Sequence, residues 1–127
     1  MPMDPGLLAV FAAAVANCTP SDALLDVLTH VRAQRALASA LLHGSTHAIL
    51  IRVLALKLER QLAALARHST APPIAPLAFL ALLLAHAQLG AIDAWLSCDD
   101  RCDVQMAARV LHATTRASVV AVFGSSG

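Results

Sequence analysis

Two cysteines of this chain stand in the segment SCDDRCD, with three aspartates between and beside them. Cys98 and Cys102 are four residues apart, a spacing at which thiolates and carboxylates could ligate zinc or the two thiols could form a strained local disulfide. Structural zinc usually draws a second Cys/His pair from elsewhere in a chain, and no such pair has suitable spacing here. We therefore expect no metal, and interpret the segment as an acidic turn that caps a helix beginning near Asp103.

The chain has six histidines, and three of them raise the question of a site. His43 and His47 are four residues apart, but a Gly-Ser pair interrupts the helix between them, so exposed loop histidines are expected rather than a metal site. His86 lies inside an apolar segment. It is either a core or interface histidine paired with a neighbour, or, together with Gln88, a polar anchor in a mostly apolar ligand pocket.

Other polar and aromatic residues could face the same pocket as His86, although Phe79 and Trp95 could equally be plain packing. The candidate ligand-binding residues are Thr29, His30, Gln34, Phe79, His86 and Trp95. The motifs G-x-S-x-G, G-x-x-x-x-G-K-[ST] and H-E-x-x-H are not found in the sequence, so we expect no enzyme activity and no cofactor.

The composition limits the functional classes. Hydrophobic residues make up 58% and charged residues 13% of the chain, against typical values of roughly 45–50% and about 25%. The excess of apolar surface must be covered by lipid, by a partner or by a ligand.

Charge, cysteines and the N-terminal segment limit the classes further. With a net charge of +1, the chain has no excess of positive charge that would attract nucleic acid. Three cysteines favour reduced thiols in the cytoplasm. The segment LLAVFAAAVA resembles the apolar core of a signal peptide. The residues before it include the acidic Asp4 and no Lys or Arg, whereas a signal peptide begins with positive charge.

Helical periodicity and helix-breaking residues predict an all-α chain of about five helices. Residues 1–20 are predicted to form a connecting helix and turn, and residues 21–127 a helical domain. A helix capped by Ser21 or Asp22 should break near Arg32–Gln34 and stop at Gly44. The other predicted helices are about Gly6–Asn17, about Thr46–His68 with Ser45 or Thr46 as the cap, Pro76 to about Ser97, and about Asp103–Phe123.

The segment PLAFLALLLAHAQLGAIDAWL, from Pro76 to Leu96, is long enough to cross a membrane. His86, Gln88 and Asp93 would however lie in or near the bilayer interior, where each is costly. A helix that is apolar on nearly every side is buried on nearly every side, and one small domain can hardly cover it. We therefore expect a second subunit, and no membrane, to cover this helix.

The last two helices carry small and apolar residues that would allow a close approach of helices. The predicted interface residues are Ala87, Gly90, Ala91, Ala94, Met106, Val110, Ala113 and Ala117. Two such helices from each subunit could form an intermolecular four-helix bundle with two-fold symmetry. The expected partner is therefore a second copy of the chain.

The segment from Pro76 to Leu111 resembles the C-terminal region of TetR-family transcriptional regulators. The likeness consists of an apolar helix with a glycine, an aromatic-Leu end, a short polar turn and a helix start of the type x-x-M-A-x-x-L at Gln105–Leu111. Upstream, LLDVLTHVRAQRALASALLHG resembles the family's early effector-domain helices. The resemblance covers about Ser21 to Phe123, but the family's helix-turn-helix with its basic recognition helix has no counterpart in these residues.

The resemblance implies a dimeric domain that binds a small effector inside each helical subunit, without direct contact to nucleic acid from this chain. We thus expect a ligand-sensing dimerisation domain of a TetR-like regulator, with a small apolar effector. The alternatives are a structural helical dimerisation module without a ligand and a membrane-associated helical protein.

Overall fold

The computed structural model of the chain describes residues 22–70, 72–98 and 101–123. Within them, it shows five α-helices and no β-strand, which confirms the all-α prediction. The predicted helix Gly6–Asn17, and with it the proposed boundary at residue 20, lies outside the described residues. The helices are α1 (Asp22–Ala33), α2 (Arg35–His43), α3 (His47–His68), α4 (Leu77–Ser97) and α5 (Val104–Val122).

Both expected interruptions of the early helical region are present. Gln34 separates α1 from α2 with a non-helical backbone (φ −113°, ψ 56°). α2 ends at His43, where Gly44 has φ −91° and ψ −170° rather than a left-handed conformation. A side chain at position 44 would instead collide with the carbonyl oxygen of Ala40. Glycine is therefore required there by the close approach of the backbone and not by a positive φ angle.

The core of the domain lies between α3 and α4, which make the most extensive helix–helix contact. α3 contributes Leu50, Leu54, Leu58 and Leu62 at helical spacing, all almost fully buried. Residues 69–76, with three prolines, separate α3 from α4 because proline cannot continue a helix. The predicted end of α3 at His68 and the predicted end of α4 at Ser97 both agree with the structure.

α5 packs against α1 and α4 and runs antiparallel to α4. Just before α4 begins, the amide of Ile74 donates a hydrogen bond to the carbonyl of Val122, at the end of α5, over 2.9 Å. At the opposite end, the indole nitrogen of Trp95 donates to the carbonyl of Cys102 over 2.9 Å. Contacts at both ends thus hold α4 and α5 side by side.

Caps were predicted for three helices. α1 begins at Asp22, so its cap position at residue 21 lies outside the described residues. The other two predicted caps have different outcomes. Asp103 caps α5 as expected, since its carboxylate accepts a hydrogen bond from the amide of Met106 over 2.7 Å. Thr46 occupies the cap position of α3, but its hydroxyl donates to the carbonyl of Ala40 over 3.4 Å, and no side chain caps that helix. The expectation that Thr46 or Ser45 caps α3 is therefore wrong, because the backbone at Thr46 is already helical.

We expect Asp103→Ala to lower the free energy of unfolding by about 1 kcal/mol, because the first turn of α5 loses its side-chain acceptor. Asp103→Asn retains an acceptor oxygen and should change stability much less. Urea unfolding followed by circular dichroism measures both values. Equal losses in the two variants would contradict the capping role of Asp103.

Candidate dimer interface and apolar groove

α5 buries one apolar stripe and exposes another. The buried stripe includes Ala108, Leu111 and Val122. The exposed stripe contains the four α5 residues predicted to lie in the interface, together with Val120, which sequence reasoning missed. Its members are Met106, Val110, Ala113, Ala117 and Val120. Their spacings alternate between four and three residues, which is the repeat of a coiled-coil seam. Met106, Val110 and Val120 are each more than 40% exposed.

α4 also exposes apolar surface, although eight of its residues are buried. Among the predicted interface residues of α4, Ala87, Gly90 and Ala94 are exposed and Ala91 is half-buried. A Cβ atom added at Gly90 would meet no other atom within 4 Å. Three large apolar residues that were not among the predicted interface residues are also exposed on this helix: Phe79, Leu82 and Leu83. The described residues therefore leave α4 only partly covered.

An apolar groove of about 290 Å³ lies between the end of α4 and the start of α5. Its floor includes the buried side chains of Ile92, Trp95 and Leu111. Its walls include four predicted interface residues, and Cys98 and Cys102 also line it. The four wall residues are Ala91, Ala94, Met106 and Val110. The groove thus joins the exposed apolar surfaces of the two helices.

Trp95 is held in the groove floor by two neighbouring elements. Its indole nitrogen donates to the carbonyl of Cys102, and the same carbonyl accepts a hydrogen bond from Nη1 of Arg32 over 3.3 Å. The Arg32 guanidinium also lies 5.5 Å from the centre of the Trp95 ring, which is within cation–π range. Sequence reasoning missed Arg32, since no local pattern connects α1 to residues 70 positions away.

The six predicted ligand-binding residues lie on α1, at its end and on α4. Trp95 is the only one of the six that lines the groove. Thr29, His30 and Gln34 are exposed on α1 and at its end, and the Thr29 hydroxyl donates to the carbonyl of Leu25 in its own helix. Phe79 is 61% exposed near the start of α4.

His86 and Gln88 lie on different sides of α4. Gln88 is buried, and its amide donates to the hydroxyl of Thr115 on α5 over 3.2 Å, so that it joins the two helices. His86 is exposed and lines a shallow depression with His47, whose ring centre lies 6.3 Å away. The two residues therefore do not anchor the same pocket.

The histidines at the α2–α3 turn meet α4. His43 is exposed, as expected, and its Nε2 lies 3.0 Å from the carboxylate of Asp93. His47 differs from the prediction because it is half-buried. Within residues 22–70, 72–98 and 101–123, no group of three or more His, Cys, Asp or Glu side chains is arranged to hold a metal ion.

The two cysteines of the α4–α5 connection lie in direct contact. Cys98 and Cys102 are both half-buried, and their sulfur atoms are 3.3 Å apart. The hydrogen bond to Cys98 raises the pKa of the Cys102 thiol, and burial and nearby negative charge act in the same direction. No disulfide joins the two sulfur atoms.

Of the helices that the structure describes, α4 alone is long and apolar enough to cross a membrane. Core helices of soluble proteins meet the same criterion of length and composition, and α4 carries a large share of this core.

Comparison of the chain with protein families, with curated proteins and with solved structures finds no match.

Proposed function

We propose that this chain is a homodimerisation domain in which α4 and α5 of two copies form a four-helix bundle. The observation that carries the proposal is the exposed seam of α5, formed by Met106, Val110, Ala113, Ala117 and Val120. A seam with a four-three repeat normally packs against an equivalent seam, because each side chain fits between residues of the facing helix. The apolar side chains of this seam are exposed to solvent. Association of two copies would bury them, and the burial of apolar surface favours association.

The residue sizes along the α5 seam favour a second copy as the partner. If a two-fold axis passes near Ala113, the antiparallel seams place Met106 opposite Val120 of the other copy and Val110 opposite Ala117. Large residues then meet small or medium ones, and the two Ala113 side chains meet at the axis. Small residues at the centre allow the helices to approach closely. The seam is therefore complementary to itself.

The polar residues beside the seam argue against lipid as its partner. Gln105, Arg109 and Arg116 are exposed on α5 and are distributed along the helix rather than collected at its ends. Charges in the middle of a helix are costly in a bilayer. In a bundle, they would lie at the rim of the interface and remain in water.

Ligand sensing, as in a TetR-like regulator, is a second candidate function. It is favoured by the apolar groove of about 290 Å³ with Trp95 in its floor, a size near the lower limit for small-molecule sites of roughly 300 Å³. A small apolar effector bound there would touch both helices of the proposed interface. Such a ligand could therefore alter the arrangement of the dimer.

Native mass spectrometry of freshly purified protein tests both functions. We expect a dimer without detergent, and a co-purified small molecule if the groove binds an effector. A monodisperse monomer across the accessible concentration range would contradict the dimer. Protein that stays in solution only with detergent would instead favour a membrane-associated role.

A further inference from the structure

The thiol pair at the α4–α5 connection has a geometry suited to covalent chemistry. The sulfur atoms of Cys98 and Cys102 are 3.3 Å apart, and a disulfide requires a separation of about 2.05 Å. The sulfur atoms must therefore approach by about 1.3 Å to form the bond, as the difference between these distances shows. Rotation of the two cysteine side chains moves their sulfur atoms by distances of this order.

We propose that Cys98 and Cys102 are a reversible redox site, in which exchange with a small-molecule disulfide such as oxidised glutathione joins the two sulfur atoms. The Cys98 thiolate first attacks one sulfur of oxidised glutathione and releases one glutathione thiolate. Cys102 then loses its proton, attacks the Cys98 sulfur of the mixed disulfide and releases the second glutathione. Two protein thiols are oxidised to one disulfide, and one glutathione disulfide is reduced to two thiols.

The protonation of Cys102 is consistent with a role in the closing step. The hydrogen bond to Cys98 raises the pKa of Cys102, so Cys102 keeps its proton to a higher pH than an ordinary thiol. We assign Cys98 as the attacking residue and Cys102 as the resolving residue. The closing step should accelerate as the pH rises, because the thiolate form of Cys102 is the nucleophile.

The bridge would act on the groove because of the contacts that Cys102 makes. Its carbonyl accepts hydrogen bonds from both Trp95 and Arg32, and both cysteines line the groove. A bond between Cys98 and Cys102 connects the end of α4 to the residue before the α5 cap and restricts the separation of these helices. Oxidation should therefore change the environment of Trp95. Bridge formation itself does not depend on the proposed dimer.

The chain has a single tryptophan and three cysteines, which makes a direct test possible. A Cys18→Ser background leaves Cys98 and Cys102 as the only thiols, and all tryptophan emission comes from Trp95. The full chain is equilibrated in buffers of reduced and oxidised glutathione and then quenched with acid. Peptide mass spectrometry reports the bridge, and fluorescence reports Trp95.

We expect the peptide containing both cysteines to lose two hydrogen atoms without a glutathione adduct, and Trp95 emission to change at the same redox midpoint. The midpoint should be independent of protein concentration, because the bridge lies within one chain. Cys102→Ser should instead accumulate the mixed disulfide at Cys98. Stable adducts on both cysteines, or a midpoint that changes with protein concentration, would overturn the proposal. A bridge that leaves Trp95 emission unchanged would overturn its link to the groove.

Discussion

Ala113→Glu should convert the proposed dimer to a monomer and leave the fold of each protomer unchanged. Ala113 is exposed in the protomer, so the carboxylate is hydrated before association. In the dimer it would lie near the two-fold axis, opposite the same charge from the other copy. An unpaired buried charge costs about 3 kcal/mol or more, which raises the Kd of the dimer roughly a hundred-fold. Sedimentation velocity over a concentration series measures this change.

Two further variants make the test of the interface specific. Ala64→Glu introduces the same side chain on the exposed polar face of α3 and should leave the dimer intact. Ala113→Lys should also be monomeric alone, but an equimolar mixture with Ala113→Glu should form a heterodimer because opposite charges then meet at the axis. Failure of the mixture to associate would place Ala113 away from the axis, and a dimeric Ala113→Glu protein would refute the assigned face.

Leu54→Ala should destabilise the protomer more than any surface substitution. Leu54 is 0% exposed and lies in the middle of α3, where that helix packs on α4. Removal of its side chain forfeits apolar burial and leaves a cavity, with an expected cost of about 3–5 kcal/mol. This is a large part of the roughly 5–15 kcal/mol by which small domains are stable. The midpoint of urea unfolding, measured with an unchanged m-value, reports the loss.

Leu56→Ala is the matched control for Leu54. The two residues are of the same type in the same helix, but Leu56 is 49% exposed. Its replacement should cost less than about 1 kcal/mol, since most of the removed surface already contacts water. Similar losses in both variants would show that the two faces of α3 are not buried as described. Because Ala is a strong helix former, neither loss can be attributed to helix propensity.

The helices could largely be predicted because their limits depend on local interactions. Gly44, the prolines of residues 69–76 and the acidic cap at Asp103 act within a few residues of their own positions. The cap of α3 could not be assigned in this way. Whether Thr46 accepts from the following amides or donates to Ala40 depends on how α2 and α3 meet.

The face of a single helix is easier to predict from sequence than a pocket, for a physical reason. Residues of one seam lie on one helix, so the spacing of Met106, Val110 and Ala113 already places them on a common face. A pocket requires side chains from several helices. The positions of Thr29, Phe79 and His86 along their own helices do not determine whether their side chains meet.

By itself, the sequence determined the all-helical class and the helix limits. It also determined that the chain has more apolar residues than one small domain can cover. Each of these features depends on residue type and local spacing. The tertiary structure decided which apolar residues remain exposed, that Gln88 joins α4 to α5 through Thr115, and that Arg32, Trp95 and the two cysteines meet at one groove. These features depend on the packing of helices that are distant in the chain, and helical periodicity carries no information about that packing.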